Sequence, residues 1–208
     1  MEQAQPQRRA PYAIWIALAI GVIVVISMIS SYNALVGLSQ AVDAQWGQVQ
    51  NVYQRRADLV PNLVATVKGA ANFEKSTYIA VTQARAGVGQ ISPDVLKNAV
   101  NDPKAMAQFE QAQNSLGSAL SRLLVTVENY PQLKANENFL TLQAQLEGTE
   151  NRIAVERRRY NEAAQAFNTR RNTFPTNVYA SFFGAQFANK SYFQAQPGAQ
   201  AAPQVNFQ

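Results

Sequence analysis

The 208-residue chain contains neither cysteine nor histidine. Those two absences exclude thiol nucleophiles, disulfides, haem and iron–sulfur ligation, the usual zinc sites and histidine-based acid–base catalysis. They say nothing of redox compartment, because a chain without thiols tolerates either side of a membrane. Charge is scarce as well, at 15% of residues, and the acidic residues form no metal-binding motif. No glycine-rich phosphate loop or serine nucleophile elbow accompanies them. The expectation is a protein without metal, cofactor or enzymatic activity. Runs of Val, Ile and Thr are rare outside one segment near the start, whereas Ala, Gln and Asn abound, which points to an all-α class.

The net charge of +5 is uneven. Arg152, Arg157, Arg158, Arg159, Arg170, Arg171 and Lys190 face only Glu150, Glu156 and Glu162 over residues 150–190. Aromatic and basic residues do not interleave there as a single-strand platform requires, so a solvated helix face is expected and nucleic acid is not.

No charge occurs between Arg9 and Asp43, and residues 12–31 read YAIWIALAIGVIVVISMISS. Twenty residues at about 1.5 Å each span about 30 Å, the thickness of a bilayer core. This predicts a membrane-spanning helix with Tyr12, Trp15 and Tyr32 as interfacial anchors. Its apolar core is longer than that of a signal peptide, and no small-residue cleavage site follows. Arg8 and Arg9 precede the span, whereas the first cation after it is Arg55. The positive-inside rule then puts the N-terminus in the cytoplasm and the bulk of the chain outside it.

Apolar heptads continue past the span, with Tyr32, Trp46, Tyr53, Val60, Val67 and Val81 at a and Leu35, Val42, Val49 and Leu63 at d. The spacing predicts one long helix up to the turn-forming residues 87–94, GVGQISPD. A second helix starts at Asp102-Pro103, an N-cap followed by Pro at N1, and stops before Pro131. A third runs from about Asn136 to Thr173, and a short one lies near residues 177–188. Each has a single apolar stripe, so the expected fold is a membrane helix continuing into an antiparallel up-and-down bundle of three long helices plus a short C-terminal one. The domain plan is a flank over 1–11, the span over 12–31, the bundle over 32–193, and a disordered Ala/Gln/Pro tail over 194–208.

Four charged residues disturb the seam. Arg56 falls at d, Glu74 at a, Arg85 flanks the seam, and Glu156 replaces an apolar residue between Ile153 and Tyr160. Buried ions must be paired, so these four are expected to form a structural network that sets helix register. Pro61 removes a backbone donor and clashes with the Ala57 carbonyl, which predicts a kink or a break in the first helix.

NVYQRRADLVPNLVATVKG, the following FEKS and QARAG, and RRRYNEAAQAFNTRRNTFPTNVYASFFG, taken with the N-terminal span, strongly resemble the LemA family. The most specific parts are RRADLVPNLV and the pairs Tyr160-Asn161, Phe167-Asn168 and Phe174-Pro175. The resemblance implies a helical bundle tethered by one span, without established enzymatic activity. The expected function is a single-pass scaffold or interaction protein of the bacterial inner membrane that works as a homo-oligomer with a protein partner. Oligomerisation is expected because the shorter later helices leave the membrane-proximal seam of the first helix uncovered. The alternative is an envelope sensor or lipid-binding adaptor. Arg158, Arg159, Phe182, Phe183 and Phe187 would form its contact surface.

Overall fold

The computed structural model describes residues 10–69 and 73–194. The expected flank with Arg8 and Arg9, and the tail from residue 195 on, lie outside them. Seven α-helices and one 3-10 helix occur among the described residues, and no strand. Helix α1 (Ala10–Lys68) runs for 59 residues, about 88 Å at about 1.5 Å each. Its first turns expose Tyr12, Trp15, Leu18, Ile20, Val22, Ile26 and Ile29. This helix is long and apolar enough to cross a membrane. Burial begins at Ser31 and then recurs at Leu35, Val42, Trp46, Val49 and Tyr53, the heptad seam.

Continuity through residue 86 was expected of the first helix, but the chain turns at Gly69, where the backbone N–H bonds the Thr66 carbonyl. Helix α2 (Lys75–Gly89) then returns antiparallel to α1. Two contacts fix that direction: Lys68 Nζ lies over the Tyr78 ring at 5.0 Å, and Arg85 Nε donates to the Ala57 carbonyl at 3.0 Å. The apolar spacing carries across the turn because both strokes bury a stripe in the same core, so periodicity alone could not show the reversal.

Short α3 (Pro93–Asn98) leads into α4 (Pro103–Val127), whose N-cap Asp102 accepts from Lys104 N at 2.8 Å. After α5 (Pro131–Lys134), α6 (Glu137–Asn172) starts from Asn136, whose side chain accepts from Phe139 N at 3.1 Å. Helix α6 runs antiparallel to α1, since Arg56 meets Glu150, Gln45 meets Glu156, and Ser31 meets Thr176. Helix α4 runs parallel to α1, with Trp46 against Phe109 and Arg56 against Gln113. The result is an up-down-up-down bundle of α1, α2, α4 and α6. Its fourth helix comes from the division of the expected first one. Helix α7 (Thr176–Phe182) and a 3-10 helix (Ala185–Phe187) close the end next to the apolar segment.

The core forms two clusters along the bundle. One joins Leu35, Val42, Trp46 and Val49 to Phe109, Ile153, Tyr160 and Phe167. The other joins Val60, Leu63 and Val67 to Val81, Leu116, Leu120, Phe139 and Leu146. Because α6, α7 and the C-terminal segment cover Leu35 through Tyr53, the expected uncovered seam on α1 does not exist within this chain.

Candidate functional site

Between the two apolar clusters lies a polar layer centred on Arg56, which is only 3% exposed. Its Nη1 meets Glu150 Oε1 at 3.0 Å, and Nη2 donates to the backbone carbonyl and Oε1 of Gln113 at 2.8 and 2.7 Å. The guanidinium lies 5.0 Å from the Tyr53 ring centroid, and its buried Nε has no acceptor. Gln113 is buried beside it. Small Gly117 leaves the space into which Arg56 reaches, 3.5 Å from where a Cβ would stand.

The four expected network residues do not come together. Arg56 pairs with Glu150 and Gln113 instead of Glu74 or Glu156. Glu74 is the exposed N-cap residue of α2 and bonds Ser76, because the turn at Gly69 takes it off the seam. Glu156 accepts from Gln45 and forms an ion pair with Arg159 at 2.9 Å. Arg85 has a different task. Pro61 cannot donate to the carbonyl four residues earlier, that of Ala57, and Arg85 Nε supplies the missing donor. Helix α1 therefore continues through Pro61 without dividing.

Helices α4 and α6 approach less closely than α1 and α6 do, and meet through core side chains and the Glu110–Arg157 ion pair at 2.9 Å. A cleft of about 780 Å³ runs there, with Arg56, Gln113, Gly117 and Leu120 on one side and Leu146, Glu150, Ile153 and Arg157 on the other. Among the described residues no three or more acids gather to hold a metal ion. Of the two carboxylates lining the cleft, Glu150 pairs with Arg56, and Glu147 is exposed and accepts from Gln143 Nε2 at 3.0 Å.

The end of the bundle next to the apolar segment divides the expected contact residues. Phe183 and Phe187 meet Tyr32 edge-on at 5.2 and 5.5 Å, so both serve packing, while Tyr32 itself is 39% exposed. Phe182 points outward and is 77% exposed. Arg158 and Arg159 sit on α6 at the level of Gln45, paired with Glu162 and Glu156. That level is about 20 Å along the bundle from Ser31, so the five residues form no common surface.

A segment the sequence placed outside any helix has a defined course. Residues 189–194 run extended along α6, held by two asparagines. Asn168 Nδ2 donates to the Lys190 carbonyl at 2.9 Å and its Oδ1 accepts from Lys190 N at 2.7 Å. Asn161 holds the carbonyl and N–H of Phe193 in the same way, at 3.0 and 2.9 Å. Tyr160 donates to the Ser191 carbonyl at 3.0 Å, and Ser191 N bonds Val100. Gln194, expected in the tail, is bonded by Arg157 and Glu110. The seven-residue repeat of aromatic-Asn pairs was the visible signal: it lines the two aromatics along one stripe in the core and the two amides along a neighbouring stripe, about 100° round the helix.

Burial pushes the Tyr53 and Tyr160 hydroxyls and the Glu110 carboxyl above their ordinary values, the last against the pull of Gln194 N–H and Arg157. Burial likewise lowers Lys190, whose Nζ donates to Asn101 and lies 4.9 Å from the Phe167 ring centroid.

Residues 45–207 match the LemA family. The chain belongs to the LemA family. Among its relatives, magnetosome protein MamQ 2 of Paramagnetospirillum magneticum is 27% identical over 210 residues, covering 92% of this chain and 76% of that protein. Magnetosome protein MamQ of Magnetospirillum gryphiswaldense is 26% identical over 213 residues, covering 94% and 78%. Protein LemA of Metamycoplasma hominis is 27% identical over 152 residues, covering 71% and 61%. In this LemA-family chain, the segments that suggested the family carry the polar layer (Arg56), the repaired proline (Pro61 with Arg85) and the two amide clamps (Asn161 and Asn168).

Proposed function

We propose that this protein is a non-enzymatic, single-pass interaction protein of the bacterial inner membrane, anchored by residues 12–31 and presenting its bundle outside the cytoplasm. The observation that carries this reading is the unbroken α1, whose exposed apolar surface passes within a turn into a buried bundle seam. A water-soluble bundle gains nothing from such an exposed stretch, whereas a bilayer covers it. The magnetosome names of two relatives agree with a membrane setting.

Because the α1 seam is closed within one chain, assembly with further copies or with a partner protein uses the cleft between α4 and α6. Its exposed rim of Ser118, Ser121, Arg122, Glu147 and Asn151, with half-buried Leu124 and Glu150, offers polar and charge recognition around a small apolar contact. The chain lacks cysteine, so Ser121→Cys gives a unique handle at the cleft. Cross-linking from that site in membranes should capture a neighbour, and mass measurement in mild detergent should exceed the monomer. A monomer in both experiments removes the assembly reading. Val125→Cys, exposed at the far end, should react with a membrane-impermeant thiol reagent in intact spheroplasts. Reaction only after lysis reverses the orientation.

A further inference from the structure

Helix α7 crosses α1 instead of running along it. At its start, Thr176 Oγ1 donates to Ser31 Oγ at 3.4 Å, and just past its end Phe183 meets Tyr32 edge-on. Seven residues of α7, about 10 Å, thus pass while α1 advances by one residue. With α1 along a bilayer normal, α7 lies roughly in the membrane plane, at the level where α1 changes from exposed to buried.

The two faces of α7 differ sharply. Thr176 and Ala180 are buried against the bundle. At about 100° per residue the opposite face carries Val178 and Phe182, which are 46% and 77% exposed, and Phe174 just before the helix is 77% exposed. No part of the described chain covers these three. Residues 163–194 contain Arg170, Arg171 and Lys190 and no acid, residues 10–42 of α1 carry no charge, and Asp43, farther along α1, faces Lys190. Arg170 and Arg171 close α6 beside α7, and Arg171 Nε donates to the Phe187 carbonyl.

We propose that α7 is a second membrane contact, lying in the headgroup boundary of the bilayer that holds the span. Phe174, Val178 and Phe182 enter the acyl edge, and Arg170 and Arg171 face lipid phosphates. The bilayer is the occupant because the apolar face is level with the end of the exposed apolar stretch of α1 and lies beside Arg170 and Arg171, with no acid in residues 163–194 or 10–42. This inference rests on the reading of residues 12–31 as a span. A foot across the base of the bundle would limit its tilt and rotation relative to the membrane.

The test uses the full chain in vesicles of phosphatidylcholine and phosphatidylglycerol, with single cysteines at Ile20→Cys, Phe182→Cys and Val125→Cys carrying an environment-sensitive fluorophore. Nitroxide-labelled lipid should quench the probes at 20 and 182 several-fold more than that at 125, and aqueous iodide should do the reverse. Melting by circular dichroism checks that each variant is folded, which Phe182→Cys should be because its side chain packs against little. Iodide access at 182 with lipid quenching at 20 overturns the α7 contact and leaves the span intact. Protection of 182 from both quenchers means that protein covers α7, which also overturns the proposal. Loss of lipid quenching at 20 overturns the span itself.

Discussion

Pro61 and Arg85 make a pair whose energetics can be worked through a double-mutant cycle. Proline inside a helix costs about 3 kcal/mol, partly through the carbonyl it leaves without a donor. Here that carbonyl, on Ala57, accepts from Arg85 Nε at 3.0 Å. A hydrogen bond to a charged donor contributes about 1.5–3 kcal/mol, but Arg85 is exposed, so about 1 kcal/mol is the appropriate figure. Arg85→Met should therefore cost about 1 kcal/mol, or about 2–4 °C in the melting midpoint of a bundle this size. Pro61→Ala restores the backbone donor. It should stabilise by about 2 kcal/mol, the helix-propensity gain less the bond already made. In that background Arg85→Met should cost almost nothing, because the backbone N–H restored at position 61 now occupies the carbonyl. The coupling energy expected from thermal or chemical denaturation of the four proteins is about 1 kcal/mol. Additive effects would show that Arg85 acts through its charge or packing, and the repair argument would fall.

Three further outcomes follow from the same geometry. Arg56→Met and Gln113→Leu should each destabilise by about 1–3 kcal/mol, since each strands a buried polar partner, while the double variant should lose clearly less than their sum in denaturant titrations. Asn168→Ala should release residues 188–194, cost about 2 kcal/mol or more by leaving both main-chain groups of Lys190 unpaired, and exceed Asn161→Ala, whose site is partly solvated. Hydrogen exchange should quicken in that segment while α1 and α6 stay protected. Tyr160 is raised above its unfolded value of about 10 by burial, so the unfolded phenol ionises first and stability falls as pH rises through 10 towards the folded value. Tyr160→Phe lacks that loss, and the stability gap between wild type and variant should narrow by about 1.4 kcal/mol per pH unit above 10.

The apolar segment and the stripes of the helices were legible in the sequence because both depend on local periodicity. Burial of Arg56 is in the same category, since its d position follows from the spacing of Tyr53 and Val60. Its partners are a different matter. Periodicity says which face is covered, and only tertiary packing says by what, so Glu150 and Gln113 were missed and Glu74 was wrongly placed on the seam. That error has a local origin: Gly69 alone marks a reversal across which hydrophobic spacing continues. The strap over 189–194 was missed for another reason. It has no secondary-structure period of its own, and its bonds come from Asn161 and Asn168 on another element. The paired aromatic-Asn pattern was visible, but an amide beside a core aromatic becomes interpretable only once an extended chain lies against it.

A purely apolar centre would serve stability as well as the Arg56 layer does, because burying an arginine costs several kcal/mol before its bonds return it. The layer contributes something apolar residues could not. The α1, α4 and α6 stripes are heptad-like rows of Leu, Val, Ile and aromatics, and such rows can slide past one another by a turn, about 5.4 Å, with modest loss of contact. Sliding α4 by one turn would place Arg56 against Phe109 or Leu116 in place of Gln113. A cation facing either side chain would be buried with half its bonds gone, at a cost of about 3–5 kcal/mol. The amide clamps impose the same constraint on the C-terminal segment, since a shift of one residue would offer Asn161 and Asn168 the wrong backbone groups. These interactions fix where α7 and the strap sit along α6. If α6 moved by one turn, Thr176 would leave Ser31 and the exposed face of α7 would no longer lie level with the end of the apolar span.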